Sequence, residues 1–195
     1  MALRIDRLGV VVAAVAAYAM LAPFATFRAN RIVRGVGQSV FEALPGPLAA
    51  TLVAVVVAGI AVALLRTPGW ARLVASLVVL AALAIAIGFA PGHLTAEGDR
   101  LARVSPASGF WLAVFAFALL AADAVARLRL SPLARVAVLV AVAAAFGLIL
   151  GSGLWDGLSI LKEYASRADA FWREGARHLT LAFGSLANGL PSVIT

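Results

Sequence analysis

The chain has 195 residues, of which 64% are hydrophobic and only 13% are charged, and its net charge is +7. Soluble domains carry about 25% charged residues and about 45–50% apolar ones, so this composition excludes a water-soluble globule and predicts an integral membrane protein. The chain has no cysteine, which excludes disulfides and thiol chemistry, and its arginines are scattered at the ends of apolar runs, which argues against a nucleic-acid-binding patch.

Five apolar runs are long enough to cross a bilayer as helices, which takes about 17–25 residues. They cover residues 8–27, 48–65, 71–90, 110–126 and 136–154. A cleaved signal peptide is the alternative for the first run, but the run exceeds the usual signal core of about 7–15 residues and no clean cleavage site follows it. The sequence therefore predicts an all-α polytopic protein with about five transmembrane helices.

The loops between these runs alternate in length and charge. The N-terminus and the turns at 66–72 and 127–135 are short and basic, with Asp6 as their only acid. The loops at 28–47 and 91–109 and the segment after Trp155 are longer and hold the other loop acids, Glu97 among them. Arginine counts alone do not decide the orientation, because three arginines crowd the first long loop, but short loops obey the positive-inside rule best. We therefore predict a cytoplasmic N-terminus.

The segment after the fifth run is amphipathic. Its apolar side chains recur at helical spacing on one face, and its charged side chains fill the other. The first set is Leu161, Tyr164, Ala168, Phe171, Trp172 and Leu179, and the second is Lys162, Glu163, Arg167, Asp169, Arg173, Glu174 and Arg177. We expect this helix to lie in the membrane interface with Phe171 and Trp172 buried. A further apolar run begins at Leu179, so the predicted divisions are a transmembrane block at 1–157, a connecting helix at 158–178 and a short stub at 179–195.

Few residues offer chemistry. Asp123 is the charged residue that the prediction places within a span, and Arg127 follows four residues later, which favours an ion pair near the membrane surface over a proton or ion site. His93 and His178 are isolated, whereas a metal site needs several ligands. Gly147 and Gly151 form a small-residue pair that could admit a neighbouring helix. The sequence predicts no catalytic, cofactor-binding or metal-binding residue, and it assigns no substrate-binding residue.

Three stretches carry a family resemblance. They are RANRIVRGVGQSVFEALP at 28–45, RLARVSPASGFWL at 100–112, and LKEYASRADAFWREGARHLTLAFGSLA at 161–187. In this order they resemble the inner-membrane permease of bacterial ABC importers for osmoprotectants, of the glycine betaine/choline type whose permease has an additional N-terminal membrane block. The resemblance implies a multi-pass protein of the bacterial inner membrane that is not an enzyme. It also implies an ATPase subunit and a periplasmic binding protein as partners, through the permease core.

In that family the permease core begins near His178 and contains the loop that docks the ATPase. After Ala187 this sequence departs from the family pattern, so we expect a fragment, a truncated product or a separately supplied block that does not transport alone. The alternative is a stand-alone small membrane protein with a structural or interaction role. A self-contained channel or secondary carrier is disfavoured, because ionisable midplane residues and inverted repeats are not visible.

Overall fold

The computed structural model describes residues 6–96, 98–99 and 101–188. The remaining positions include Arg4, Glu97 and Arg100, as well as residues 189–195 of the predicted stub, and the predictions made on them lie outside the described part. The elements in chain order are α1 (Arg7–Leu21), β1 (Ala25–Arg28), β2 (Val36–Gln38), α2 (Val40–Ala43), α3 (Gly46–Leu64), α4 (Gly69–Leu94), β3 (Arg103–Pro106), α5 (Ser108–Leu128), α6 (Pro132–Gly151) and α7 (Ser159–Asn188).

The polytopic, predominantly helical architecture is confirmed. Four helices, α3, α4, α5 and α6, are long and apolar enough to cross a membrane. The first of the five predicted spans, at residues 8–27, is shorter than expected, because α1 has 15 residues and ends at Leu21. Pro23 explains this end: proline lacks an N–H and pushes the preceding residue out of the helical region, and Ala22 is extended. The predicted end of this span at residue 27 is therefore wrong.

Four helices form a closed ring in which each packs on two neighbours. Helix α1 packs on α3 and α5, and α4 packs on the same two helices from the other side. The side chains between these helices are small or aliphatic, apart from the aromatic Phe117. All are nearly inaccessible to solvent: Val12, Ala16, Leu52, Val56, Leu83, Ala113, Phe117 and Leu120. Close packing of this kind fills the centre of the ring. Helix α6 stands apart from it, since none of its residues is buried.

A small antiparallel sheet closes one end of the ring, in two loops for which the sequence predicted no regular structure. Its strand order is β2-β1-β3, and Thr26 lies opposite Gly37 on one side and Ser105 on the other. The sheet joins the ring directly: Gly109 N–H in α5 donates to Pro23 O at 2.8 Å, and Ala107 N–H donates to Phe24 O at 3.0 Å. The start of β1 and the start of α5 are therefore at one level.

The chain divides into two compact units after Ser159. In its described part the second unit consists of α7, one helix of 30 residues that continues through residues 178 and 179, where the sequence suggested a new run. Leu179 and Phe183 extend the apolar face already formed by the aromatic residues. Three of those aromatic residues pack edge to face along the helix, with Phe171 at 6.0 Å from Tyr164 and 5.6 Å from Trp172 between ring centroids.

Candidate functional site

Four charged side chains meet at the end of the ring opposite the sheet. Asp6 precedes α1 as its N-cap, Arg72 lies in the first turn of α4, and Asp123 and Arg127 lie in the last two turns of α5. We call this group the charge cluster. It contains two acids and two bases and is therefore electrically balanced.

Each base of the charge cluster bridges both acids. Arg72 Nη2 lies 3.3 Å from Asp6 Oδ1, and its Nε lies 3.3 Å from Asp123 Oδ2. Arg127 makes the shorter contacts, at 2.9 Å from Nη2 to Asp6 Oδ2 and 2.7 Å from Nε to Asp123 Oδ2. The Arg72 side chain is fully buried, whereas that of Arg127 is 43% exposed. Arg72 is thus the inner base and Arg127 the outer one.

The charge cluster also binds backbone groups that a helix end leaves without intrahelical partners. Asp6 Oδ1 accepts from Gly9 N–H at 2.9 Å and so caps α1. Asp6 N–H donates to Leu64 O at 3.0 Å, and Arg72 Nη1 lies 3.4 Å from Ala63 O, so the last turn of α3 is included. Side chains or backbone groups of all four ring helices therefore meet at this point.

The electrostatics of Asp6 follow from this geometry. Burial raises the pKa of the Asp6 carboxyl, but the hydrogen bond from Gly9 N–H and the guanidinium groups of Arg127 and Arg72 lower it, and the net direction is below the usual value. A carboxylate held in this way stays ionised. The arrangement suits a permanent ion-pair lock between helices better than a group that releases and takes up protons.

The sequence anticipated half of this site. The predicted contact between Asp123 and Arg127 is confirmed, at 2.7 Å. Asp123 lies in the membrane-length helix α5, as predicted, and Arg72 lies in the first turn of another such helix, α4. Two features of the sequence could have indicated Arg72 and Asp6. Arg72 is the second residue of the predicted third span, and Asp6 is the single acid of the short basic segments.

The other candidates remain apart from the charge cluster. His93 is exposed in the last turn of α4, and His178 is exposed on α7. A Cβ at Gly147 or Gly151 would meet nothing within 4 Å in the described part of the chain. The glycines at close helix contacts are different ones: a Cβ at Gly109 would lie 2.6 Å from Ala19 O, and a Cβ at Gly9 would collide with Ala63 O.

In a comparison with protein-family models, residues 6–161 match the family described as ABC transporter permease YehY, N-terminal domain. The matched range contains the ring, the sheet, the charge cluster and α6. No curated protein and no solved structure matches the chain. Since the family model covers most of the chain, and since the helices have the length and apolarity of membrane spans, the protein belongs to the family of N-terminal domains of YehY-type ABC transporter permeases, a transport family of the membrane.

Proposed function

We propose that the chain is the N-terminal membrane portion of a permease for osmoprotectants such as glycine betaine or choline, and that it serves as a scaffold for a permease core. The family match over residues 6–161 carries this proposal. The substrate class rests on the resemblance of the three stretches at 28–45, 100–112 and 161–187. The partners that follow from it are the lipid bilayer, an ATPase subunit and a periplasmic solute-binding protein.

The packing of the ring supports a scaffolding role. Leu52, Val56, Leu83, Phe117 and Leu120 fill its centre and are at most 2% exposed. A solute pathway needs polar groups around a water-filled space, whereas this centre is apolar and closed at one end by the charge cluster. We infer that the solute does not pass through the ring.

The turns on the charge-cluster side are too short to dock an ATPase. Helix α3 ends at Leu64 and α4 begins at Gly69, while α5 ends at Leu128 and α6 begins at Pro132. Neither connection has room for a helix that an ATPase could grip. In the orientation that we propose, with the N-terminus in the cytoplasm, these are the turns that face the ATPase. We therefore expect the chain alone to drive neither uptake nor ATP hydrolysis.

Helix α7 has the pattern of an interfacial helix. Phe171 and Trp172 are 60% and 65% exposed and lie on the same apolar face as Leu161 and Leu179. A helix with a wide apolar face and a charged opposite face lies in the membrane surface. We propose that the part of α7 before residue 179 does so and connects the N-terminal block at 1–157 to the segment that begins near residue 179.

Reconstitution tests these proposals. The purified chain is placed in liposomes with an ATPase subunit and a periplasmic binding protein of an osmoprotectant importer, and betaine uptake and ATP hydrolysis are measured. A complete permease of the same family, with its core, is the positive control. We expect uptake with the complete permease and none above empty liposomes with the chain alone. Betaine uptake by the chain alone would refute the scaffold role, and failure of the complete permease to take up any osmoprotectant would refute the substrate class.

A further inference from the structure

The hairpin formed by β1, β2 and their turn, residues 25–38, presents an ordered apolar tip. Asn30 Oδ1 accepts hydrogen bonds from the N–H groups of Ile32 and Val33, each at 2.9 Å. This Asx turn fixes the backbone of the tip. Ile32 has 95% of its surface exposed, and Val33 and Val36 are also about half exposed. Grouped exposed apolar side chains mark interaction or membrane sites, whereas single ones do not, and here three lie together at one tip.

The hairpin is also strongly basic. It carries Arg28, Arg31 and Arg34 and contains no acid. Next to its tip, Leu101 and Arg103 complete an open depression with Asn30, Arg31 and Ile32. Asp99 is the nearby acid in the described part of the loop, and its Oδ1 already accepts from the N–H groups of Leu101 and Ala102 at 2.8 and 3.0 Å. Even with Asp99 counted against one arginine, the described surface around Ile32 keeps a positive excess, which attracts a negatively charged partner.

The length of α5 indicates how deep the base of the hairpin lies in the bilayer. Gly109, which is bonded to Pro23 at the start of the sheet, and Asp123 in the charge cluster are separated along α5 by about 21 Å at 1.5 Å per residue. The hydrocarbon core of a bilayer is about 30 Å thick. Arg127 is 43% exposed and must reach the headgroups or water on its own side. The sheet end of the ring then lies at or below the headgroup level of the opposite side.

We propose that the hairpin is a lipid-binding element: Arg28, Arg31 and Arg34 contact the phosphates of anionic phospholipids, and Ile32 enters the boundary between headgroups and acyl chains. Charge complementarity and the level of the sheet both favour lipid as the occupant. A protein partner is less well matched, because the centres of protein interfaces are rich in aromatic residues, whereas the tip is aliphatic. The proposal does not depend on the solute or on the scaffold role.

The absence of cysteine from the sequence allows a single nitroxide label. Ile32→Cys is labelled in the full chain and placed in nanodiscs of phosphatidylcholine alone or of phosphatidylcholine with one-quarter phosphatidylglycerol. Accessibility to oxygen and to a water-soluble nickel chelate then reports depth. Val142→Cys on α6 gives the hydrocarbon reference, and free label in buffer gives the water reference. We expect a headgroup-level value for residue 32 that deepens with phosphatidylglycerol, and this deepening should decrease with each arginine replaced by glutamine.

Arg28→Gln, Arg31→Gln and Arg34→Gln together should remove the dependence on phosphatidylglycerol while the label at residue 142 keeps its hydrocarbon value. A label at residue 32 that stays fully accessible to the nickel chelate in both lipid mixtures would overturn the proposal and leave the tip to a soluble partner. A phosphatidylglycerol dependence that survives in the triple variant would overturn the role of the arginines.

Discussion

Replacing Arg72 with methionine should destabilise the protein more than any other single change in the charge cluster. Methionine keeps much of the side-chain volume but removes the inner base, which is fully buried. The carboxylates of Asp6 and Asp123, only 9% and 18% exposed, are then left with Arg127 alone. Breaking a buried pair by removing one partner costs about 3–5 kcal/mol. Because Arg127 still compensates part of the charge, we expect a loss of about 3 kcal/mol in the free energy of unfolding, at the lower end of that range.

Two matched variants separate charge burial from packing. Arg127→Gln removes the outer base, whose 43% exposure lets water screen the pair, so its cost should be about 1 kcal/mol. The triple variant Asp6→Asn, Arg72→Met and Asp123→Asn leaves no buried charge, and asparagine can still cap α1 at position 6. Replacing a whole buried ion pair by uncharged groups is often nearly neutral. We therefore expect the triple variant to be more stable than Arg72→Met alone.

The assay is reversible unfolding in mixed micelles of dodecyl maltoside and SDS, followed by tryptophan fluorescence and circular dichroism. The fluorescence of Trp155, whose indole N–H donates to Ala84 O at 2.8 Å, reports the loss of its contact with α4. If Arg72→Met cost no more than Arg127→Gln, the buried base would not be what holds this end of the ring together. A triple variant less stable than Arg72→Met would mean that the charges themselves contribute a net stabilisation.

Further expectations concern orientation, helix contacts and acid. An impermeant thiol reagent on intact cells should label a cysteine at Ser105 and not one at Ser131, and the reverse pattern would invert the proposed topology. Gly109→Ala should destabilise the protein, since its Cβ would lie 2.6–2.8 Å from three carbonyl oxygens, whereas Gly147→Ala should not; equal thermal stability of the two variants would contradict the close contact. Because the pKa of Asp6 is lower in the folded state, its ionisation stabilises the fold at pH values above the ordinary pKa of 3.8, and this contribution is lost as the pH falls through the lower folded pKa. The stability of Asp6→Asn should therefore fall less than that of the unmodified protein when the pH is lowered below 3.8.

The helices could be predicted from the sequence because length and apolarity are enough to identify a span. Length and apolarity could not predict the early end of the first helix at Leu21. The apolar run continues through Phe24, Ala25 and Phe27 although the backbone changes from helix to strand after Leu21. A strand of four residues gives almost no period-2 pattern, and its pairing with β3 joins residues far apart in the chain. Pro23 was the local sign of the change.

The charge cluster was half predictable for a related reason. The pair of Asp123 and Arg127 is visible because residues four apart share one face of a helix. The contacts of Asp6 with Arg72 and Arg127 join residues 66 and 121 positions apart in sequence, and only the closure of the ring brings them together. No periodicity within one segment contains that information. The one remaining indication in the sequence was Arg72 itself, since an arginine inside an apolar span usually pairs with an acid or with backbone carbonyls.

The turn after α6 explains how a helix that buries none of its residues keeps its place. This turn, residues 152–158, lies along one face of α4: Leu154 fills the space beside Gly88, Trp155 donates to Ala84 O, and Gly157 contacts Pro91. The three partners on α4 are spaced four and three residues apart, which places them on one helical face. Phe146 of α6 packs edge-on against Trp155, with 5.1 Å between ring centroids. Because the family match ends at residue 161 and the first compact unit ends at Ser159, this turn forms the C-terminal closure of the domain, and the position of α6 depends on it more than on any helix-to-helix contact within the domain.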